Sequence, residues 1–324
     1  MGEWLDLETM AAPALARPRP LFERLDWFRL VAAHDPALAP RVLRVTDGGE
    51  EAFLFLADQG RRRAAPLACW YSLAFAPIGP DRLLPALFAA AATRFDRLTL
   101  LPVRADRRAA LIAGLRAAGW RVLLHRQSTR WLSTLEGVPF DAYWAARPGR
   151  LRTLVARRAR SHPVRIEILD RFAAPAWQAY EAVYRASWKP EEGAPALLRT
   201  LAAREGAAGT LRLGLAWRGD QPVAAQFWLV EGGEAVIHKL AHREDQRAGS
   251  PGTLLSHALF RHVIDVDRVR RIDFGLGDEP YKGDWLDRAE PVWRLDAYRP
   301  LRPRGAAGLV RALTGRLARR AGLR

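Results

Sequence analysis

The stretch HREDQRAGSPGTLLSHALFRHV, residues 242–263, opens in charge and glycine and closes as an apolar helix, with Ser-Pro-Gly at the hinge. Ser250 is a favourable N-cap, Pro251 suits the first helical position because its missing N–H would have no intrahelical partner there, and Gly252 leaves the second position bare. This spacing predicts that the N–H groups of Gly252, Thr253 and Leu254 face outward. Orphan donors and the positive end of the helix dipole would there attract an anion, and Arg247 adds a full charge just upstream. Leu254, Leu255, Ala258, Leu259 and Val263 give the helix one apolar face.

The neighbours set this helix in a fold. Three strand-like runs precede it, LRLGLAW (211–217), VAAQFWLV (223–230) and EAVIHKLA (234–241), and the turns RGDQP and EGG between them are short enough for an antiparallel meander. The strand RRIDFGLG (270–277), the loop DEPYKGDW and a last strand near 294–298 follow. Upstream lie a basic helix at 147–160 and another helix at 175–187. The N-terminal half reads as a helix (21–33), strands RVLRV and EAFLFLA, a charge-poor segment around Trp70, a helix (81–95), the strand RLTLLPV, a helix (106–118) and a strand from Trp120. The halves look like loose repeats, strands first and then strand alternating with helix. They differ where the matching helix starts: GPDRLLPAL puts Asp81 at the cap, where it would repel a phosphate. An anion site therefore belongs to the second half. The expected architecture is mixed α/β, with domains at 1–140 and 141–300, each a mostly antiparallel sheet flanked by helices, and a tail at 301–324.

The chain has 324 residues, nearly half of them hydrophobic, enough for about two globular domains. MGEWLDLETM carries acids where a signal peptide needs bases, and the longest charge-free stretch, Pro66–Pro80, is 15 residues and broken by prolines. Both features predict a cytoplasmic protein. A lone Cys69 excludes an internal disulfide, and the absence of Cys/His zinc spacing predicts no metal. The net charge of +16 is a weak pointer to nucleic acid, because 48 of the 51 basic residues are arginine, as a GC-rich codon bias would produce. In that setting the three lysines, Lys189, Lys239 and Lys282, stand out.

The runs RGDQPVAAQFWLV, IHKLAHRED, SPGTLLSHALFRHVID and IDFGLGDEPYKGDW resemble the C-terminal GNAT-type domain of the CelD/BcsL-like acetyltransferases, bacterial proteins linked to exopolysaccharide or cellulose synthesis and related in fold to the Fem peptidyl transferases. LACWYSLAFAPI and YWAARPGRLRTLVARRAR resemble parts of the same double-domain pattern. The resemblance implies two tandem GNAT-like folds, acetyl-CoA or another acyl-CoA as cosubstrate, and an amine on a small molecule or amino sugar as acceptor. In QRAGSPG, Gln246 and Gly249 match the phosphate-loop pattern Q/R-x-x-G-x-G/A, while Pro251 stands where its last small residue would be. The resemblance thus implies cofactor contacts from His238, Lys239, Leu240, Arg247, Gly249, Ser250, Gly252, Thr253 and Leu254.

Acyl transfer to an amine needs a carbonyl held beside a deprotonated nitrogen and a group that stabilises the oxyanion. By the resemblance, the acyl chain lies along EAVIHKLA, where backbone N–H groups near His238 and Lys239 would polarise the thioester. Strand alternation puts those two side chains on opposite faces, so one of them at most faces substrate, with His238 a candidate general base. The loop GDEPYKGDW gathers the other candidates. Lys282 would bind the acceptor or stabilise the oxyanion, as the matching lysine does in Fem-type relatives, and Asp278 or Glu279 would take the amine's proton. A polar hairpin with mutually satisfied charges is the plain alternative. Trp70, Tyr71 and Phe75, with Tyr281 and Trp285, are candidates to line an acceptor cleft; core packing is the commoner fate of such residues.

Two further readings compete. Arginines of the helix at 147–160 would suit phosphate neutralisation by a Fem-type enzyme using aminoacyl-tRNA. The tail sets Leu309, Val310, Leu313 and Leu317 against arginines, which suits an anionic membrane surface or docking on the protein's own body, and would allow a non-enzymatic scaffold.

Overall fold

The computed structural model describes residues 2–16 and 18–320; residues 321–324 of the expected tail lie outside them. The chain forms strand β1 (Gly2–Leu5), helix α1 (Leu25–His34), β2 (Pro40–Asp47), β3 (Glu50–Asp58), β4 (Arg63–Pro66), α2 (Leu84–Arg94), β5 (Arg97–Val103) and α3 (Ala105–Ala117). Next come β6 (Arg121–Thr134), α4 (Phe140–Ala145), α5 (Gly149–Ser161), β7 (Arg165–Leu169), α6 (Ala174–Arg185) and α7 (Pro195–Ala207). The meander β8 (Leu211–Arg218), β9 (Gln221–Glu231) and β10 (Glu234–His242) leads into α8 (Pro251–Asp265), β11 (Arg271–Leu276), the single turn α9 (Lys282–Trp285), β12 (Arg288–Tyr298) and α10 (Pro303–Arg320).

Two compact units result, Met1–Ser128 with Pro291–Arg324, and Thr129–Glu290. The division falls inside β6 and β12, not near residue 140 as the sequence suggested, because β12 pairs with β5 and returns the C-terminal strand and α10 to the first unit. Each unit is a mostly antiparallel sheet with helices. In the first the order is β1-β2-β3-β4-β5-β12, with β4 and β5 parallel; in the second it is β6-β11-β10-β9-β8-β7, with β10 and β11 parallel. The repetition read from the sequence is therefore a repeated strand plan.

In the second unit, α8 lies on one face of the sheet. Leu255, Leu259, Phe260 and Val263 are fully buried, and each such side chain stabilises by about 1.5–3 kcal/mol. Phe260 stacks on Trp285 at 4.8 Å and meets Trp228 edge-on at 5.2 Å. Gly214 on β8 allows the close approach: a Cβ there would come within 2.7 Å of Leu259 Cδ1. Buried Gln226 fixes the start of α8, donating from Nε2 to the Gly252 carbonyl (3.1 Å) and Ser256 Oγ (2.8 Å) while its Oε1 accepts from Trp228 Nε1. On the opposite face α6 packs through Trp177, edge-on to Phe227 at 5.9 Å.

The parallel pair at the centre is short. β10 and β11 are in register at Glu234–Arg271, Ala235–Ile272 and Val236–Asp273, and no farther. Arg130 on β6 clamps this paired end, donating to Asp273 Oδ2 from Nε (2.5 Å) and to Glu234 Oε1 from Nη2 (2.6 Å). Asp273 also accepts from the Gly275 N–H at 2.9 Å, and Gly275, at φ +66°, turns β11 away. On β10 the register against β9 skips His238, a bulge between Ile237 and Lys239.

Helix α10 docks on its own unit through small residues: Gly305 is packed against the Arg299 backbone and Gly308 against Arg97 and Tyr298. Val310, Leu313 and Leu317 form an outward apolar stripe. Among the described residues no helix is long and apolar enough to cross a membrane.

Replacing Arg130 by Met should leave the buried Asp273 carboxylate without its counter-ion, while Glu234 keeps Arg271 at 3.7 Å, and lower unfolding stability by about 3 kcal/mol in urea titration. A loss below about 1 kcal/mol would contradict the clamp.

Candidate functional site

The start of α8 is narrower than its sequence implies. Ser250 is in the left-handed region (φ +52°, ψ +44°) and its side chain makes no cap. Its carbonyl instead accepts from Thr253 (3.1 Å) and Leu254 (3.2 Å), so two of the three N–H groups expected to face an anion are engaged within the first turn. Gly252 retains an N–H at the positive end of the helix. Beside the preceding loop, Arg218 Nη1 donates to Gln246 Oε1, while Arg218 Nη2 is buried with no hydrogen-bond partner. A Cβ on Gly249 would come within 2.6 Å of that nitrogen, and one on Gly252 within 3.3 Å of His242 Nδ1. Arg247 is exposed and paired with Glu244 at 3.3 Å. Burial, with help from Arg247 and Lys189 and against Glu244, pushes the His242 imidazole below its usual range.

His242, at the end of β10, leads to the second part of the site. Its ring lies 4.4 Å from that of Trp188, in the segment between α6 and α7. The same segment carries Lys189 and Glu192. Glu192 pairs with Lys239 Nζ at 3.0 Å, and Lys239 stands over the Tyr184 ring at 5.6 Å. Alternation had put His238 and Lys239 on opposite faces; the bulge overrides it. Lys239 is in register with Phe227, and the His238 ring lies 5.2 Å from the Phe227 ring, so both turn toward the α6 face. His238 is buried there. Leu240 is in register with Gln226 and belongs to the α8 face.

The loop after β11 is a compact turn rather than a polar hairpin. Lys282 is buried, donating to the Leu276 carbonyl (2.8 Å) and pairing with Glu279 Oε2 (2.9 Å) over the Phe274 ring. Gly277, at φ +138°, holds a backbone conformation that residues with side chains rarely adopt. Burial raises the Glu279 carboxyl, but its Lys282 hydrogen bond and the charges of Lys282 and Lys189 outweigh that and hold it below the usual range. Glu279 and Asp278 are exposed. Tyr143 Oη (2.6 Å) and Arg147 Nη1 (2.7 Å) both donate to the Trp285 carbonyl and fix the turn from below.

All three lysines of the chain therefore meet around the α6–α7 segment. Lys189 is the least satisfied. Among the described residues its Nζ has no hydrogen-bond or ion-pair partner, only the Tyr184 and Trp188 rings at 5.9 and 5.8 Å. Burial, then the Lys239 charge, opposed by Glu192 and Glu279, lowers its pKa to about 8. The sequence flagged Lys189 by scarcity alone; nothing local marked Glu192, Tyr184, Trp188, Arg218 or His242.

The aromatic candidates differ in exposure within their own units. Tyr71 and Phe75 are sealed in the core of the first unit and Trp285 in that of the second, so none of these lines an open surface. Trp70 is 87% exposed and Tyr281 44%. A groove of about 520 Å³ in the first unit, bordered by Glu50, Glu51 and Arg107, holds charges already paired with Arg82, Arg44 and Asp81.

Because an ordinary lysine titrates near about 10.4, the lowered Lys189 is about half neutral at pH 8. Acetylation by an amine-reactive ester, resolved by mass spectrometry across pH, should show Lys189 reacting fastest of the three lysines with a midpoint near 8. A midpoint near 10 would contradict its environment.

Residues 125–283 match the Acetyltransferase (GNAT) domain family. A comparison with curated proteins gives no match. Among solved structures, the chain is similar to a DUF2156 C-terminal domain from Agrobacterium fabrum attributed to a lysylphosphatidylglycerol synthetase, at 16% identity and TM-score 0.59 over 92% of this chain and 93% of that one. It is similar to FemX at 10% and 0.58 over 83% and 94%. L-PGS from Bacillus licheniformis follows at 14% and 0.55 over 89% and 96%. At these identities the likeness is one of fold. The matched residues 125–283 span the parted strands, the start of α8 and all three lysines.

Proposed function

We propose that the second unit is an acyl-coenzyme A-dependent N-acyltransferase acting on a small amine or amino sugar. The observation that carries this reading is the parting of β10 from β11 after Val236 and Asp273, with the bulge at His238 immediately beyond. Two parallel strands that separate leave edge amides and a slot between them, and a thioester chain fits such a slot. The residues at the start of α8 suit the donor's phosphates: Gly252 offers an N–H, Arg218 a buried guanidinium nitrogen in need of an acceptor, and Gly249 and Gly252 bare backbone. The family resemblance of the sequence supports a sugar-type acceptor linked to exopolysaccharide or envelope synthesis.

The donor supplies a thioester-activated acyl group. Backbone N–H groups at His238 and Lys239, beside Leu240, are suited to polarise its carbonyl. Lys282, held by Leu276 and Glu279, orients the acceptor or steadies the developing oxyanion. Glu279, kept ionised by the two lysines, or Asp278 beside it, takes a proton from the acceptor amine as the C–N bond forms and the C–S bond breaks.

A second reading, aminoacyl-tRNA as donor, is favoured by the exposed arginines Arg152, Arg157 and Arg160 on α5 and by the fold likeness to FemX.

Calorimetric titration of acetyl-CoA should give roughly micromolar affinity in the wild type and at least about a tenfold loss in Gly252→Glu, which sets a carboxylate against the phosphates and His242. Absence of acetyl-CoA binding together with salt-sensitive tRNA binding would overturn the first reading in favour of the second.

A further inference from the structure

The lysine cluster has an uneven charge balance. Lys239 is neutralised by Glu192 and Lys282 by Glu279, at 3.0 and 2.9 Å. Lys189 has no such partner, yet it sits half-buried between two aromatic rings and feels the charges of both other lysines. A cation withdrawn from water without a counter-ion is unfavourable, and folds retain one only where something else recovers the loss. Three lysines against two glutamates leave one net positive charge, and the nearby Glu244 is already paired with Arg247 at 3.3 Å. A further ammonium placed against Lys189 itself would be repelled. Anionic oxygens would be attracted, and a lysine is a compact point charge suited to them.

From this geometry we infer that Lys189 anchors an anionic group, carboxylate or phosphate, carried by the acceptor itself. The acceptor is then an amine of the amino-acid or phosphorylated amino-sugar class. Its anion binds at Lys189 beside Trp188, and its nitrogen lies toward Glu279 and Lys282. This inference rests on the acyl-transfer reading for the word acceptor, but the anion site itself does not.

The test uses the full-length protein. Lysine acetylation at pH 8 and constant ionic strength is followed at each of the three lysines with inorganic phosphate, malonate or chloride present. Phosphate or malonate should slow modification of Lys189 saturably, by roughly tenfold, the worth of one charge-assisted hydrogen bond, and Lys239 and Lys282 should change far less. Protection by phosphate points to a phosphorylated acceptor, and protection by malonate to a carboxylate-bearing one. If neither anion protects Lys189 beyond chloride, the inference is overturned. It is also overturned if Lys189→Met weakens acetyl-CoA binding several-fold, because Lys189 would then serve the donor. Failure of acetyl-CoA to bind the wild type would instead sink the acyl-transfer reading, with the protection at Lys189 still readable.

Discussion

The second unit depends on one buried contact, the guanidinium of Arg130 held between Asp273 of β11 and Glu234 of β10. It joins the two parallel strands where they are still in register. Asp273 also accepts from the Gly275 N–H, which bends β11 outward directly past the clamp. One carboxylate therefore fixes where the strands meet and where they part. Neither strand closes again, since β10 stays paired with β9 while β11 turns into the loop held by Tyr143 and Arg147.

Everything proposed for chemistry lies on the open side of that clamp. The bulge brings Lys239 onto the α6 face, where Glu192 reaches it, and so draws the α6–α7 segment over the strands. Lys189 and Trp188 ride on that segment, and Trp188 meets His242 beside Gly252. The start of α8 and the lysine cluster thus form one continuous stretch of the second unit. The first unit has the same strand plan, but Asp81, paired to Arg107, lies in the turn just before α2, the helix that matches α8.

The periodic parts of this arrangement were legible in the sequence. The meander and α8 came from apolar spacing, and Gln246, Gly249 and Gly252 stood out at the helix start. Local patterns misled where tertiary contacts decide. Ser250 has the right side chain for a cap, yet its backbone is left-handed and its side chain makes no cap bond, while its carbonyl accepts from Thr253 and Leu254. Strand alternation failed at His238 because a bulge leaves no mark in composition. The helix α7 was missed because its apolar residues do not form a clear stripe, and β7 because it is a short edge strand. Lys189 could be noticed only through the rarity of lysine, since the residues that make it unusual come from α6, β10 and the loop after β11.

The account is tested most directly by hydrogen–deuterium exchange with and without acetyl-CoA. It predicts slowed exchange at residues 238–242 and 274–277 and at Gly252, with the clamped pairs at 234–236 and 271–273 unchanged because they are protected already. Protection that spreads evenly over the second unit, or that appears at the clamped end and spares the parted strands, would contradict it.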